Sequence, residues 1–330
     1  MMRWVILWTM GCPALIGLPA RADAPALVPE KTIPLPSVSG RIDHMAFDRN
    51  RNRLMVAELG NNSVEVVDVA AGTILHRIAG LREPQGIGYA ERADVILIAN
   101  AADGSVRLFA AKDFAELGSV ALHDDADNIR IDPRNGLAVV GYGSGGLALI
   151  DPASRAKLAE IKLHAHPEGF QIDAATGRAY INIPDANQIA VVDLDSRRLV
   201  ATWPMREVRA NFPMALDPSQ SLVASVFRSP PVLLLLDPAS GAVRQRLATC
   251  GDADDVFFDA RRARIYVSCG AGKIAVLEHA NAAWSALTAF RTASGARTSL
   301  FVPELDRLFV AERAGLLGSE AAIRVYRPAS

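Results

Sequence analysis

The chain has 330 residues, half of them hydrophobic and 22% charged, which is enough apolar side chain for a large core and excludes bulk disorder. A formal net charge of −1 argues against a dedicated polyanion binder, and three cysteines are too few for a disulfide-scaffolded miniprotein or a multi-cysteine zinc site. Length alone suggests about two domains. Residues 1–24 read as a secretory leader. Met1-Met2-Arg3 is a basic start, Trp4 to Leu18 an apolar run broken by Gly and Pro, and Ala22-Asp23-Ala24 a small-residue cleavage site before Pro25. The run is too short and interrupted for a membrane span. Cleavage is expected after Ala24, with Ala20-Arg21-Ala22 as a second site. Losing Arg3, Arg21 and Asp23 leaves a net charge of −2 on a protein expected to be periplasmic or secreted, with no stable membrane insertion.

The rest of the chain, 25–330, is organised by a repeat. An apolar alternation ends at Asp48, Asp132, Asp173, Asp217 and Asp259, with degenerate copies ending at Ala90 and Pro303. A second marker keeps the same period, ending at Asp68, Ala110, Asp151, Asp193, Asp237, Glu278 and Arg327. Each unit holds four short β-type runs; in the first these are Met45 to Phe47, Arg53 to Ala57, Val64 to Val67 and Thr73 to Ile78. No segment sustains a helical apolar period, so helices should be nearly absent. Seven units of four strands predict an all-β, seven-bladed propeller of four-stranded antiparallel blades, starting near residues 39, 82, 124, 165, 207, 251 and 295. The last unit is one strand short. The missing strand is expected in Lys31 to Leu35, pairing beside Ile323 to Tyr326 and closing the ring.

The recurring Asp residues open turns such as Asp132-Pro133-Arg134-Asn135-Gly136, where a carboxylate accepts backbone N–H bonds. Gly72, Gly136, Gly177 and Gly241 supply positive φ in the same turns. Both are structural. There is no P-loop, no dinucleotide fingerprint, no nucleophile elbow and no haem-attachment motif.

The residues that break the repeat carry the functional signal. The start of each innermost strand reaches one mouth of the central channel. The column four residues before the first marker contains His44, Asn128 and Asp255; the column before it contains Asp43, Asp127, Glu168 and Asp254. Arg41, His166, Asn211 and Arg297 lie just upstream, and the second strands bring Glu58, Asn100, Tyr142, Asn182 and Glu312 towards the same mouth. A polar rim alone would use similar residue types. As a site, the set fits a small ligand or a divalent cation such as calcium, magnesium or zinc, held by Asp43, His44, Glu168 and Asp254, with Arg41 and Arg297 orienting an anionic group. His76, His123, His164 and His279 fall at outer positions. Arginines are scattered and aromatics do not interleave with them, so nucleic acid is not expected as a partner. Cys250 and Cys269 bracket one predicted hairpin and, in an oxidising compartment, form a candidate disulfide. The simplest register does not set them directly opposite.

The phrases RIDHMAFD, NRLMVAELGNNSVEVVD, DADDVFFDARRARIYV and RIYVSCGAGKIAVLE resemble the bacterial YVTN-repeat, YncE-like propeller family. The literal YVTN is absent; its nearest copies are RIYVSC and VILIAN. The resemblance covers the whole mature chain and implies an exported seven-bladed propeller, most of whose relatives are binding or assembly modules. The function expected first is therefore an exported, monomeric binding or scaffold protein that recognises a protein or small ligand at the channel mouth. The alternative is a divalent-metal-dependent lactonase of the gluconolactonase type, as in the wider superfamily.

Overall fold

The four runs of the first repeat become the strands Met45–Asp48, Arg53–Glu58, Ser63–Asp68 and Thr73–Ile78, hydrogen-bonded antiparallel in that order. The computed structural model describes residues 25–329 apart from 218, 316 and 317; the predicted leader, 1–24, lies outside the described residues. The pattern recurs in six further four-stranded sheets, giving a seven-bladed propeller. The innermost strands are Met45–Asp48, Pro84–Ala90, Ala126–Ile131, Phe170–Asp173, Arg209–Asp217, Ala253–Asp259 and Ser299–Val302. The only helical elements among the described residues are two single 3-10 turns, Leu59–Asn61 and Pro184–Ala186, and no helix is long and apolar enough to cross a membrane.

The recurrent Asp residues serve the turns. Asp48 Oδ1 accepts from Arg51 N at 3.1 Å, Asp132 Oδ1 from Arg134 N at 3.0 Å and Asp237 Oδ1 from Ala239 N at 2.9 Å. Gly72, Gly136, Gly177 and Gly241 all adopt positive φ, between 70° and 83°. Three of these turns also clamp neighbouring blades, because an arginine bridges the turn Asp to an Asp of the next blade. Arg51 joins Asp48 to Asp94, Arg134 joins Asp132 to Asp195, and Arg262 joins Asp259 to Asp306. Bidentate arginine geometry suits this double duty.

The core lies between blades, each sheet packing its apolar face on the next. Leu54, Val56 and Val67 of blade 1 meet Phe309, Ile323 and Val325 of blade 7 in one cluster. The terminal strand seals that junction. Leu27–Leu35 runs antiparallel to Ala321–Pro328, from Leu27 opposite Pro328 to Leu35 opposite Ala321. It is longer than the predicted segment because Ala26 and Leu27 are buried as well. Ala329 N donates to Ala26 O at 2.9 Å, and Ala329 O accepts from Arg264 Nη1 at 2.6 Å.

Each blade leaves its outermost strand as an edge. All seven of these strands carry a register shift at the corresponding place, leaving one residue out of the ladder; Leu75, Leu158, Val200 and Leu287 are four of the looped-out residues. A bulge interrupts the row of free N–H and C=O groups that would otherwise template a foreign strand. Cys250 and Cys269 form a disulfide with Cα atoms 5.9 Å apart. Cys269 pairs with Ala253 across the ladder, and Cys250 reaches it from just before that strand.

Candidate functional site

Adjacent residues of a regular strand face opposite ways, yet here neighbouring positions of the innermost strands both face the channel. The cause is a bulge at the mouth end. In blade 3 the register slips between Ala126 and Ile129, and in blade 6 between Ala253 and Asp255. Blade 1 is similar: Ala57 O accepts from Asp43 N at 2.8 Å while Ala57 N donates to His44 O at 3.0 Å. The pairs Asp43–His44, Asp127–Asn128 and Asp254–Asp255 thus line one cavity of about 640 Å³. Bulges re-aim side chains in this manner beside functional sites. Gly86 and Gly169 hold the same column for a steric reason. A Cβ on Gly86 would stand 2.1 Å from Asp127 O, and one on Gly169 2.4 Å from Phe212 O, so the next blade can approach only a glycine there.

Of the residues singled out from the sequence, Arg41, Asp43, His44, Asp127, Asn128, His166, Glu168, Asp254, Asp255 and Arg297 all line this cavity. Asn211 does not. It is fully buried between blades 4 and 5, where its Nδ2 donates to Asn182 Oδ1 at 2.9 Å and to Gln188 O at 3.1 Å. Glu58, Asn100 and Asn182 are likewise fully buried, serving local and inter-blade hydrogen bonds rather than the cavity surface.

The carboxylates that line the cavity fall into two groups. In the first the charges are already matched. Arg228 Nη2 reaches Asp254 Oδ1 at 2.5 Å, Arg297 Nε lies 2.8 Å from Asp254 Oδ2 and its Nη1 2.7 Å from Asp252 Oδ1, and Arg41 Nη2 lies 2.6 Å from Asp43 Oδ2. Two of the four proposed cation ligands, Asp43 and Asp254, are therefore engaged by arginines. The second group is Asp124, Asp125, Asp127, Glu168, Asp185 and Asp255, with no arginine or lysine paired to them among the described residues. Burial pushes Asp255 up to about 7 and raises Glu168 well above the usual carboxyl range, with Asp127 adding to the latter. Burial works against charging His44 and His166, but the surrounding carboxylates outweigh it and raise both imidazoles.

His166 is oriented by its own hydrogen bond. Nδ1 lies 2.6 Å from Gly143 O. A carbonyl only accepts, so Nδ1 carries the hydrogen and Nε2 faces Asp127 Oδ2 at 3.6 Å. One donor atom each from Asp127, His166 and Glu168 lies within 4.8 Å of the others, a spacing that can hold a metal ion. Of the four residues expected to hold a cation, only Glu168 belongs to this group; His44, at 3.9 Å from both Asp43 Oδ1 and Asp127 Oδ1, stands outside it.

The channel continues below. A second cavity of about 650 Å³, lined by Phe47, Tyr89, Ile131 and Leu300 among others, shares His44, Arg130, Gln171, Asp255 and Phe257 with the first. Arg130, Gln171 and Phe257 escaped the sequence reading, although they occupy one column two residues beyond Asn128, Gly169 and Asp255, where strand alternation returns a side chain to the channel. Arg228 escaped because the second strand of blade 5, Leu222–Ser229, is longer than its counterparts. Its guanidinium lies 3.8 Å from the centre of the Phe212 ring.

No protein-family model matches the chain, and no curated protein matches it in sequence. Solved structures do match in shape. A chain from the crystal structure of the mitotic checkpoint complex superposes with a TM-score of 0.80 at 13% identity, covering 99% of each chain. A chain of Kuenenia stuttgartiensis hydrazine synthase superposes with a TM-score of 0.75 at 15% identity, covering 96% of this chain and 99% of that one. At such identities the likeness shows the propeller fold alone.

Proposed function

We propose that the protein is an exported binding propeller whose channel mouth takes a small ligand of net positive charge. The observation that carries this reading is a surplus of carboxylates: Asp124, Asp125, Asp127, Glu168, Asp185 and Asp255 line the cavity with no arginine or lysine paired to them among the described residues, while three of the four lining arginines are spent on Asp43, Asp252 and Asp254. A concave site with convergent carboxylates favours a cation by simple complementarity. Export is supported by the leader-like residues 1–24 and by the Cys250–Cys269 disulfide, a bond at home in an oxidising compartment. The YVTN-type phrases agree with that placement. One structural neighbour comes from a structure titled a mitotic checkpoint complex, so the fold serves within an assembly elsewhere.

Titration calorimetry with small cations and size-matched anions tests the reading. Binding that prefers cations and weakens as salt is raised is expected; preference for anions, or no binding in either series, overturns it. Sequencing the exported protein from a bacterial host should find Pro25 at its N-terminus, and retention of residues 1–24 in a cytoplasmic product would refute export. A second reading, metal-assisted lactone hydrolysis, is favoured by the Asp127–His166–Glu168 group, since a bound cation can polarise a carbonyl. Turnover of a lactone panel with added divalent ions separates a hydrolase from a binder.

A further inference from the structure

We infer that Asp127, His166 and Glu168 form a binding site for a first-row divalent metal ion of the zinc class, resting on the reading of the mouth as the ligand site. Three separate observations meet there. The donor atoms come from two adjacent blades and still lie within 4.8 Å of one another. The imidazole has the arrangement of a metal-ligating histidine. Its Nδ1–H is anchored on the Gly143 carbonyl at 2.6 Å, which fixes the ring and leaves Nε2 as the ring nitrogen nearer Asp127. The third observation is Asn128. Only 1% exposed and lining the same cavity, it donates from Nδ2 to Asp127 Oδ2 at 3.2 Å while its Oδ1 has no hydrogen-bond partner. The Nδ2 bond orients the Asp127 carboxylate, the role that an outer partner plays at a metal site.

The chemistry of the donors selects among cations. One imidazole nitrogen with two carboxylates suits zinc and its first-row neighbours. Calcium prefers six to eight oxygens. Most of the arginines that line the cavity are already held by other carboxylates. Arg41, Arg228 and Arg297 are held by Asp43, Asp252 and Asp254, which leaves Arg130 as the only lining arginine without an ion-pair partner among the described residues. The bulge at Asp127–Asn128 is then the local device that brings a ligand and an outer partner onto the same wall.

The test uses the mature, disulfide-bonded protein after chelator treatment. Titration with zinc, manganese and calcium chloride, each alone, should give one site per chain with zinc tightest and calcium weakest, in line with the usual order for nitrogen-containing sites. His166→Ala and Glu168→Gln should each weaken zinc at least by the roughly 10–100-fold that losing even an outer partner brings. His164→Ala, whose ring is exposed and meets only Gln188, should leave affinity unchanged. Circular dichroism confirms that each variant is folded, and Glu168→Gln, which preserves size, serves if His166→Ala does not fold. Zinc affinity untouched by both variants, or calcium binding more tightly than zinc, overturns the inference. If no metal binds but small organic cations do, the metal site fails and the mouth reading stands; if neither binds, both fail.

Discussion

Arg228 leaves the fifth blade and donates from Nη2 to Asp254 Oδ1 of the sixth at 2.5 Å, with Nε on Ala253 O at 2.9 Å. The contact decides what Asp254 can do. Its other oxygen lies 2.8 Å from Arg297 Nε of blade 7, so a carboxylate that looked from the sequence like a cation ligand is instead the hub of a three-blade ion network. The side chains are largely but not wholly covered, at 21% exposure for Arg228 and 16% for Asp254. Removing one partner from a fully buried pair costs about 3–5 kcal/mol, and partial exposure reduces that. Arg228→Ala should therefore destabilise the fold by roughly 1–2 kcal/mol in urea denaturation. Arg228→Lys should recover only part of the loss, because an ammonium cannot reproduce the fork. A wild-type midpoint for Arg228→Ala would show that the network contributes nothing.

A second network predicts the pH dependence of folding. Glu58 is fully buried, with Oε2 accepting from Ser63 Oγ at 2.7 Å and Oε1 unpartnered. Burial pushes its carboxyl up to about 7 from an ordinary 4.5, and Glu65 adds to the rise. The folded state thus holds this proton more tightly than the unfolded chain does. Its contribution to stability is full below about 4.5 and is lost as pH climbs towards 7. Glu58→Gln cannot titrate, so its stability relative to wild type should rise by on the order of 3 kcal/mol between pH 4 and pH 8. Parallel stability curves for the two proteins would remove Glu58 as the cause.

Much of this was visible in the sequence, for identifiable reasons. Strand identity and blade number come from a period that two markers keep independently, and the turn Asp residues are marked by the Pro, Ser and Gly that succeed them, as in Asp237-Pro238-Ala239-Ser240-Gly241. The mouth was found because two adjacent columns both broke the repeat, and the bulges at Asp127–Asn128 and Asp254–Asp255 explain why adjacent columns share one surface. Partner choice was not visible. That Asp254 is held by arginines while Asp127 is not depends on Arg297 and on Arg228, whose reach comes from a strand longer than the repeat unit. Asn211 sits just upstream of the same columns, yet it points between blades, since the hydrogen bonds of Asn182 and Gln188 claim it.

The disulfide offers a prediction that needs no mutation. Cys250 and Cys269 are 19 residues apart, and closing a loop of that size removes about 3 kcal/mol of chain entropy from the unfolded state. Cys269 is fully buried, and Cys250 packs beside the same cluster of blades 5 and 6. Reduction, or Cys250→Ser, should lower the melting temperature by roughly 5 °C for a chain of this length. The shift should be the same with reductant in the wild type as in Cys250→Ser without it. A reductant effect persisting in the variant would assign the loss to something other than this bond.

The closure strand makes the largest claim on stability. Leu27, Ile33 and Leu35 are fully buried, and Ile33 stands opposite Ile323 in a cluster with Phe309 and Val325. Between them, Lys31 and Thr32 face outward, and Arg324 Nη1 reaches Thr32 Oγ1 at 2.7 Å on the exposed side. Truncating a buried Ile to Ala costs about 2–5 kcal/mol through lost transfer energy and the cavity left behind. Ile33→Ala should fall in that range, whereas Thr32→Ala should stay within about 1 kcal/mol, the scale of one exposed hydrogen bond. Deleting residues 27–35 removes all three anchors and exposes Ala321–Pro328 as a bare edge, so the truncated chain should melt far below the parent or aggregate. Supplying the missing strand as a separate peptide should restore part of the lost melting temperature if pairing with Ala321–Pro328 is what closes the ring. A truncated chain that melts with the parent would mean that the propeller holds without its closure.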